Sequence, residues 1–170
     1  MGTASYCPEN IVLVGFMGSG KSTVGRAVAK KSGRYFLDAD ALIESLQGRA
    51  ISAIFEDSGE EYFRNLERES AEWMAECVKG TVISTGGGMP MVTKRIREIG
   101  KVVYLKLSFD EIAGRIPPDE RVKRPLFQDM EKAREIYKRR EKIYERVADF
   151  TVDASKPPEA VADEIISLLE

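Results

Sequence analysis

Gly15-Phe16-Met17-Gly18-Ser19-Gly20-Lys21-Ser22 fits the phosphate-binding template G-x-x-x-x-G-K-[S/T] at every position. Its surroundings fit as well. Ile11-Val12-Leu13-Val14 is a short apolar run suited to a buried strand, and Val24, Ala27 and Val28 follow at helical spacing. Strand, glycine-rich turn and helix are the context that gives this motif its meaning. The glycines let backbone N–H groups curl around phosphate oxygens, and the helix N-terminus adds partial positive charge. In this reading Gly18, Ser19, Gly20, Lys21, Ser22 and Thr23 bind a nucleotide. Lys21 neutralises β- and γ-phosphate oxygens, and the Ser22 hydroxyl is offered to Mg2+. A glycine-rich hairpin is the bland alternative, but nothing after Ser22 reads as a second strand.

Outward from the loop, apolar strand candidates alternate with helical patterns. The strands are Ile11–Val14, Tyr35–Leu37, Val82–Ser84, Val102–Leu107 and Phe150–Val152. The helices are Lys21–Lys31, Ala39–Gln47, Ile51–Phe55, Glu61–Val78, Met91–Ile99, Phe109–Arg115, Met130–Val147 and Pro158–Leu169. Such alternation predicts an α/β fold, a parallel sheet between two helical layers. The 170 residues make one domain, and Met1 to Asn10 read as a loosely held start. With 43% hydrophobic and 32% charged residues and a net charge of −2, nothing pulls the chain toward nucleic acid or an anionic membrane. No apolar stretch approaches the roughly 18 residues of a membrane span, and no signal-peptide pattern is seen. Cys7 and Cys77 lack metal-type or CxxC spacing, which suggests free thiols in a reducing cytoplasm. The chain has no histidine, so any general base is a carboxylate, Lys, Tyr or Cys.

The remaining candidates lie where strands end. Asp38 and Asp40 follow the second strand, where ligands of open α/β sheets bind. One carboxylate can hold a metal while the other orients an attacking hydroxyl, although Asp40 could also simply cap the next helix. Ser84-Thr-Gly-Gly-Gly88 ends the third strand, and three glycines suit close backbone approach to a ligand. Residues 116–127, with three prolines and a cluster of cations, read as an exposed basic loop acting as a lid rather than a plain connector. Arg64 and Glu67, at i and i+3, look like a surface ion pair of little worth, and Arg140 like part of a charged helix face.

In order, these pieces resemble the shikimate kinase family from about Ile11 to Leu169. The resemblance rests on the phosphate loop, Phe36-Leu-Asp-Ala-Asp-Ala-Leu-Ile-Glu44, and Ile54-Phe-Glu-Asp-Ser-Gly-Glu-Glu-Tyr-Phe-Arg64. It continues through Ser84-Thr-Gly-Gly-Gly88, Arg124-Pro-Leu126 and Arg140 before Tyr144. It implies a nucleoside-monophosphate-kinase-like fold with a five-stranded parallel sheet in order 2-3-1-4-5. It also implies transfer of the γ-phosphoryl of ATP to the 3-hydroxyl of shikimate, a step toward chorismate and the aromatic amino acids. By the same resemblance Asp40 contacts the reacting hydroxyl and accepts its proton, and Asp38 helps hold Mg2+ beside Ser22. Arg64 and Arg140 grip the shikimate carboxylate, Glu67 orients Arg64, and Phe55 and Phe63 wall the ring. Gly86, Gly87 and Gly88 make close backbone contacts. Arg124 reaches the phosphates from a lid at about residues 116–128, while residues 39–67 form the shikimate-binding region. Arg115 and the stretch after Asp153, including Ser155, are implied to contact the adenine. Lys156-Pro157-Pro158 departs from the more basic adenine loop the family leads one to expect.

Related readings fit less well. Gluconate kinases use a histidine-containing motif that this chain lacks, and adenylate kinases end their loop Gly-Lys-Gly-Thr where this chain has Gly-Lys-Ser-Thr. A silent, regulatory relative should have lost Asp40, Arg124, Arg64 or Arg140, and all four are present. A monomer is expected, because no apolar interface stripe stands out.

Overall fold

Five parallel strands in the order β2-β3-β1-β4-β5 form the centre of the molecule in a computed structural model, which describes residues 9–170. Cys7 and most of the expected loose start lie outside the described residues. Asn10, by contrast, is already structured: it opens β1 (Asn10–Val14) and is buried. The other strands are β2 (Tyr35–Asp38), β3 (Thr81–Ser84), β4 (Gly100–Lys106) and β5 (Phe150–Asp153). Ile11 to Val14 are buried throughout because β1 is central and covered on both faces, which is why the run is continuously apolar rather than alternating. The edge strand β5 does alternate, with Val152 buried between exposed Thr151 and Asp153.

Helix α1 (Lys21–Ser32) follows β1 and packs on β1, β2, β3 and the C-terminal helix α9 (Pro158–Leu169). Helix α2 (Ala39–Gln47) follows β2 directly and packs on α3 (Ile51–Cys77), which bends at Gly59 where φ is +83°. Gly59 is non-helical (φ +83°, ψ 171°), so this run is two helical segments that meet at the glycine, as the sequence leads one to expect. Ile43, Ile54, Phe63 and Leu66 form a small second core between α2 and α3, apart from the main core around the sheet.

Two segments differ from expectation. The single helix foreseen at Met91–Ile99 is two short ones, α4 (Met89–Val92) and α5 (Ile96–Ile99). Thr93 turns extended between them, and its hydroxyl accepts from the Arg95 N–H instead. After α6 (Phe109–Arg115), the proline-rich stretch is not an open loop. It contains α7 (Pro118–Lys123) and a 3₁₀ turn (Pro125–Gln128) before α8 (Met130–Val147). Pro118 sits in the first helical turn, where its missing N–H would have had no partner anyway. Ile116 and Phe127 are buried and pin the segment at both ends. Phe127 meets the phosphate loop edge-on, its ring 6.4 Å from that of Phe16.

The buried Asn10 side chain ties together four elements. Its Nδ2 donates to Val78 O (2.7 Å) and Ile99 O (2.8 Å), and its Oδ1 accepts from Thr81 N (3.0 Å). Asn10→Ala leaves all three groups without partners and should cost about 2–5 kcal/mol of unfolding free energy, measured by urea titration; a loss under about 0.5 kcal/mol would contradict this accounting.

Candidate functional site

Because all five strands are parallel, the loops leaving their C-terminal ends gather along one edge of the sheet. From β1 comes the phosphate loop. Gly20 adopts the left-handed conformation (φ +90°) that turns the chain into α1, whose first-turn amides have no partner within the helix. The Lys21 ammonium is buried and donates to Gly15 O (2.8 Å) and Phe16 O (3.0 Å). Burial lowers its pKa from 10.5 to about 8, against the opposing pull of Asp40 and Asp38.

From β2 come the two aspartates, and their roles divide. Asp38, not Asp40, caps α2: its Oδ1 accepts from Asp40 N (3.0 Å) and Ala41 N (3.2 Å). Its other oxygen, Oδ2, accepts from the Ser22 hydroxyl at 2.7 Å. Ser84 Oγ lies 3.4 Å from the same hydroxyl. A hydroxyl and a carboxylate at the mouth of a phosphate loop are hard oxygen donors of the kind that suit Mg2+, which takes few protein ligands and leaves places for phosphate and water. Asp40 is freed from capping. Its Oδ1 is buried without a hydrogen-bond partner, and burial raises the carboxyl's pKa in spite of nearby Lys21.

From β3 comes the glycine loop, whose backbone touches charged groups on every side. A Cβ on Gly86 would stand 2.6 Å from Asp40 Oδ1 and 2.9 Å from Glu67 Oε1, and one on Gly88 would collide with the Arg64 guanidinium. Gly87 faces Arg140 Nη1, 3.5 Å from where its Cβ would be. The loop is fastened from behind by Tyr144, whose hydroxyl donates to Gly87 O at 2.6 Å.

The Arg64–Glu67 pair is no surface decoration. Glu67 is 1% exposed and Arg64 Nη1 donates to its Oε2 at 2.6 Å. Burial pushes the Glu67 carboxyl upward while Arg64 pulls it back. Phe63 and Phe55 lie beside this pair, their ring centroids 4.8 Å apart. Arg64, Arg140, Asp40, Lys21, Thr23 and the three glycines all border one cavity of about 1130 Å³. Arg124 borders it too, its Nη2 3.4 Å from Glu120 Oε2 on α7. A neighbouring cavity of about 300 Å³ joins Ser19 and Gly20 to Arg115, Ser155, Lys156 and the two prolines that follow. Arg115 Nη2 donates across it to Ala154 O (2.9 Å).

The sequence gives Tyr144, Ser84 and Glu60 no task of their own. The 137–144 tyrosine spacing on α8 was the available signal for Tyr144, since a heptad interval returns a helical residue to the same face. For Glu60 the signal is its place four residues before Arg64, the spacing at which an acid and a cation meet on one helix face. Among the described residues, no cluster of three or more His, Cys, Asp or Glu side chains could hold a metal without help.

Comparison with known proteins finds relatives of the whole chain and of its fold. A family model described as shikimate kinase matches residues 17–170. A shikimate kinase of Helicobacter hepaticus is 42% identical over 95% of this chain and 96% of its own length. The solved shikimate kinase from Acinetobacter baumannii in complex with shikimate superposes with a TM-score of 0.88 at 36% identity, covering 98% of this chain and 95% of that one. A gluconokinase from Sinorhizobium meliloti shares the fold alone, at 18% identity and a TM-score of 0.53 over 94% of this chain and 90% of its own.

The clash at residue 88 is testable. Gly88→Ala should turn the Arg64 guanidinium away from Glu67, and losing that buried contact should cost about 1–3 kcal/mol in urea unfolding. A crystal structure of the variant with Arg64 unmoved would show that the loop has more room than the geometry allows.

Proposed function

Because the chain belongs to the shikimate kinase family, we propose that it transfers the γ-phosphoryl group of ATP to the 3-hydroxyl of shikimate, releasing shikimate 3-phosphate and ADP on the route to chorismate. The observation that carries this reading is the meeting of a carboxylate-binding pair, Arg64 and Arg140, with the phosphate loop and Asp40 in one cavity. Planar guanidinium groups match a carboxylate bidentately, and two of them select an acidic acceptor. The gluconokinase reading finds no such support, since that likeness is one of fold.

Each residue then has a task. Arg64, steadied by Glu67, and Arg140 hold the carboxylate, while Phe55 and Phe63 flank the ring and the amides of Gly86, Gly87 and Gly88 approach it. Asp40 takes the proton of the 3-hydroxyl as its oxygen bonds to the γ-phosphorus and the bond to the β–γ bridging oxygen breaks. The unpartnered Oδ1 of Asp40 supports this assignment, because a buried acceptor without a donor is costly unless a ligand supplies one. Lys21 and Arg124 neutralise charge on the phosphates. Ser22 and Asp38 would hold Mg2+, which supplies further neutralisation of the ATP phosphates. Gly18, Ser19, Gly20, Ser22 and Thr23 cradle the phosphates, and Arg115 and Ser155 border the adenine in the smaller cavity. The segment at about 116–128 acts as the lid, its ends anchored by Ile116 and Phe127. We take the protein to act as a cytoplasmic monomer on these two substrates, with no nucleic-acid or membrane partner. Its net charge of −2 suits that, and no described helix is long and apolar enough to cross a membrane.

An assay of ADP release with ATP, Mg2+ and shikimate, beside gluconate and no acceptor, tests the function. Turnover is expected with shikimate alone, and Asp40→Asn should abolish it while calorimetric ATP binding persists. Turnover with gluconate alone, or near-normal turnover by Asp40→Asn, would overturn the reading.

The lowered pKa of Lys21 predicts a basic limb. The ammonium is charged below about 8, so kcat/KM for ATP should fall as pH rises through about 8. Lys21→Arg should lack that limb whatever its rate. A wild-type profile flat to well above pH 9 would contradict the assignment.

A further inference from the structure

Arg64 is held from two sides by acids of its own helix. Nη1 donates to buried Glu67, whereas Nε and Nη2 straddle a single oxygen, Glu60 Oε1, at 3.3 and 3.1 Å. That Nε–Nη2 edge is one of the two through which a guanidinium meets a carboxylate bidentately. The two partners differ in exposure: the Glu67 side chain is 1% exposed and that of Glu60 68%. Opening a buried pair strands a charge, whereas an exposed pair opens into water for about 0–1 kcal/mol. Glu67 is therefore the fixed partner and Glu60 the exchangeable one. Glu60 also borders the same cavity as Arg140 and the glycine loop, so its carboxylate lies at the wall of the space an acidic acceptor would enter. It stands directly after the Gly59 bend, at the start of the helical segment that carries Arg64. A carboxylate released there remains stabilised by water and by the amide end of that segment.

We propose that Glu60 is a resident competitor for the acceptor's carboxylate, holding one edge of Arg64 until shikimate displaces it and reclaiming that edge as the product leaves. The inference rests on Arg64 being a ligand of the shikimate carboxylate. Glu60 then weakens acceptor binding while sparing the Nε–Nη2 edge of Arg64 an unpaired state. It also favours departure of shikimate 3-phosphate, which carries the same carboxylate. Both effects trade affinity for turnover, which serves an enzyme whose acceptor concentration exceeds its KM.

The test compares wild type, Glu60→Gln, Glu60→Ala, Arg64→Ala and the Glu60→Ala/Arg64→Ala double variant. Shikimate KM and kcat are measured by ADP release and shikimate Kd by calorimetry, with ATP binding confirming that each variant is folded. Both Glu60 variants should bind shikimate about threefold to fivefold more tightly, with a matching fall in KM and no rise in kcat. Arg64→Ala should raise KM at least about 30-fold, and in that background removal of Glu60 should change nothing. Unchanged or weakened binding in the single Glu60 variants would make Glu60 a support for Arg64 and overturn the proposal. So would equal tightening without Arg64, which would mean that Glu60 acts only through its field. An Arg64→Ala variant with unaltered KM would instead overturn the assignment of Arg64 itself, and the proposal with it.

Discussion

The space left by missing side chains at residues 86 and 88 is what allows this site to exist. Asp40 and Glu67 converge on the α-carbon of Gly86, and the Arg64 guanidinium lies against Gly88, each closer than a Cβ would permit. Three charged side chains from two helices can thus pack around a single backbone segment. That segment is itself held in place, since Tyr144 bonds to Gly87 from α8, the helix that also supplies Arg140. Entropy makes a triple glycine costly, so the arrangement is kept only where contact with the backbone is required.

Charge balance is the second constraint. Lys21, Asp40, Arg64 and Glu67 are all largely withdrawn from water, and burying any one of them alone would be prohibitive. They perturb one another instead. Lys21 and Arg64 draw the Asp40 carboxyl down while burial drives it up, and the net rise leaves a base stronger than an exposed carboxylate. The same burial makes Lys21 a weaker holder of its proton. Phosphoryl transfer asks a protein mostly for positioning and for neutralisation of charge, and this cluster is arranged for both.

Much of this was legible in the chain, and the rest was hidden for physical reasons. The phosphate loop, the parallel sheet and Asp38-x-Asp40 are local patterns, in which strand, turn and helix follow within a few residues. Arg64 and Glu67 could not be separated from an ordinary surface pair, because burial of Glu67 depends on how α3 meets the glycine loop, a contact invisible in helical periodicity. The capping of α2 by Asp38 rather than Asp40 follows from the helix start at Ala39, which puts Asp38 at the N-cap and Asp40 inside the first turn. The proline-rich segment read as an open loop because prolines break helices, yet Pro118 falls in a first turn, where they do not. Its anchoring depends on Phe127 reaching Phe16, more than a hundred residues away in the chain.

In the proposed function, one edge of the sheet positions an acceptor carboxylate and an acceptor hydroxyl at once. The most direct measurement is a crystal structure with ADP, Mg2+ and shikimate bound. It should place the 3-hydroxyl oxygen within about 2.6–3.2 Å of an Asp40 carboxylate oxygen and the shikimate carboxylate on Arg64 and Arg140. Shikimate seated with its carboxylate away from both arginines, or with its 3-hydroxyl directed away from Asp40, would contradict it.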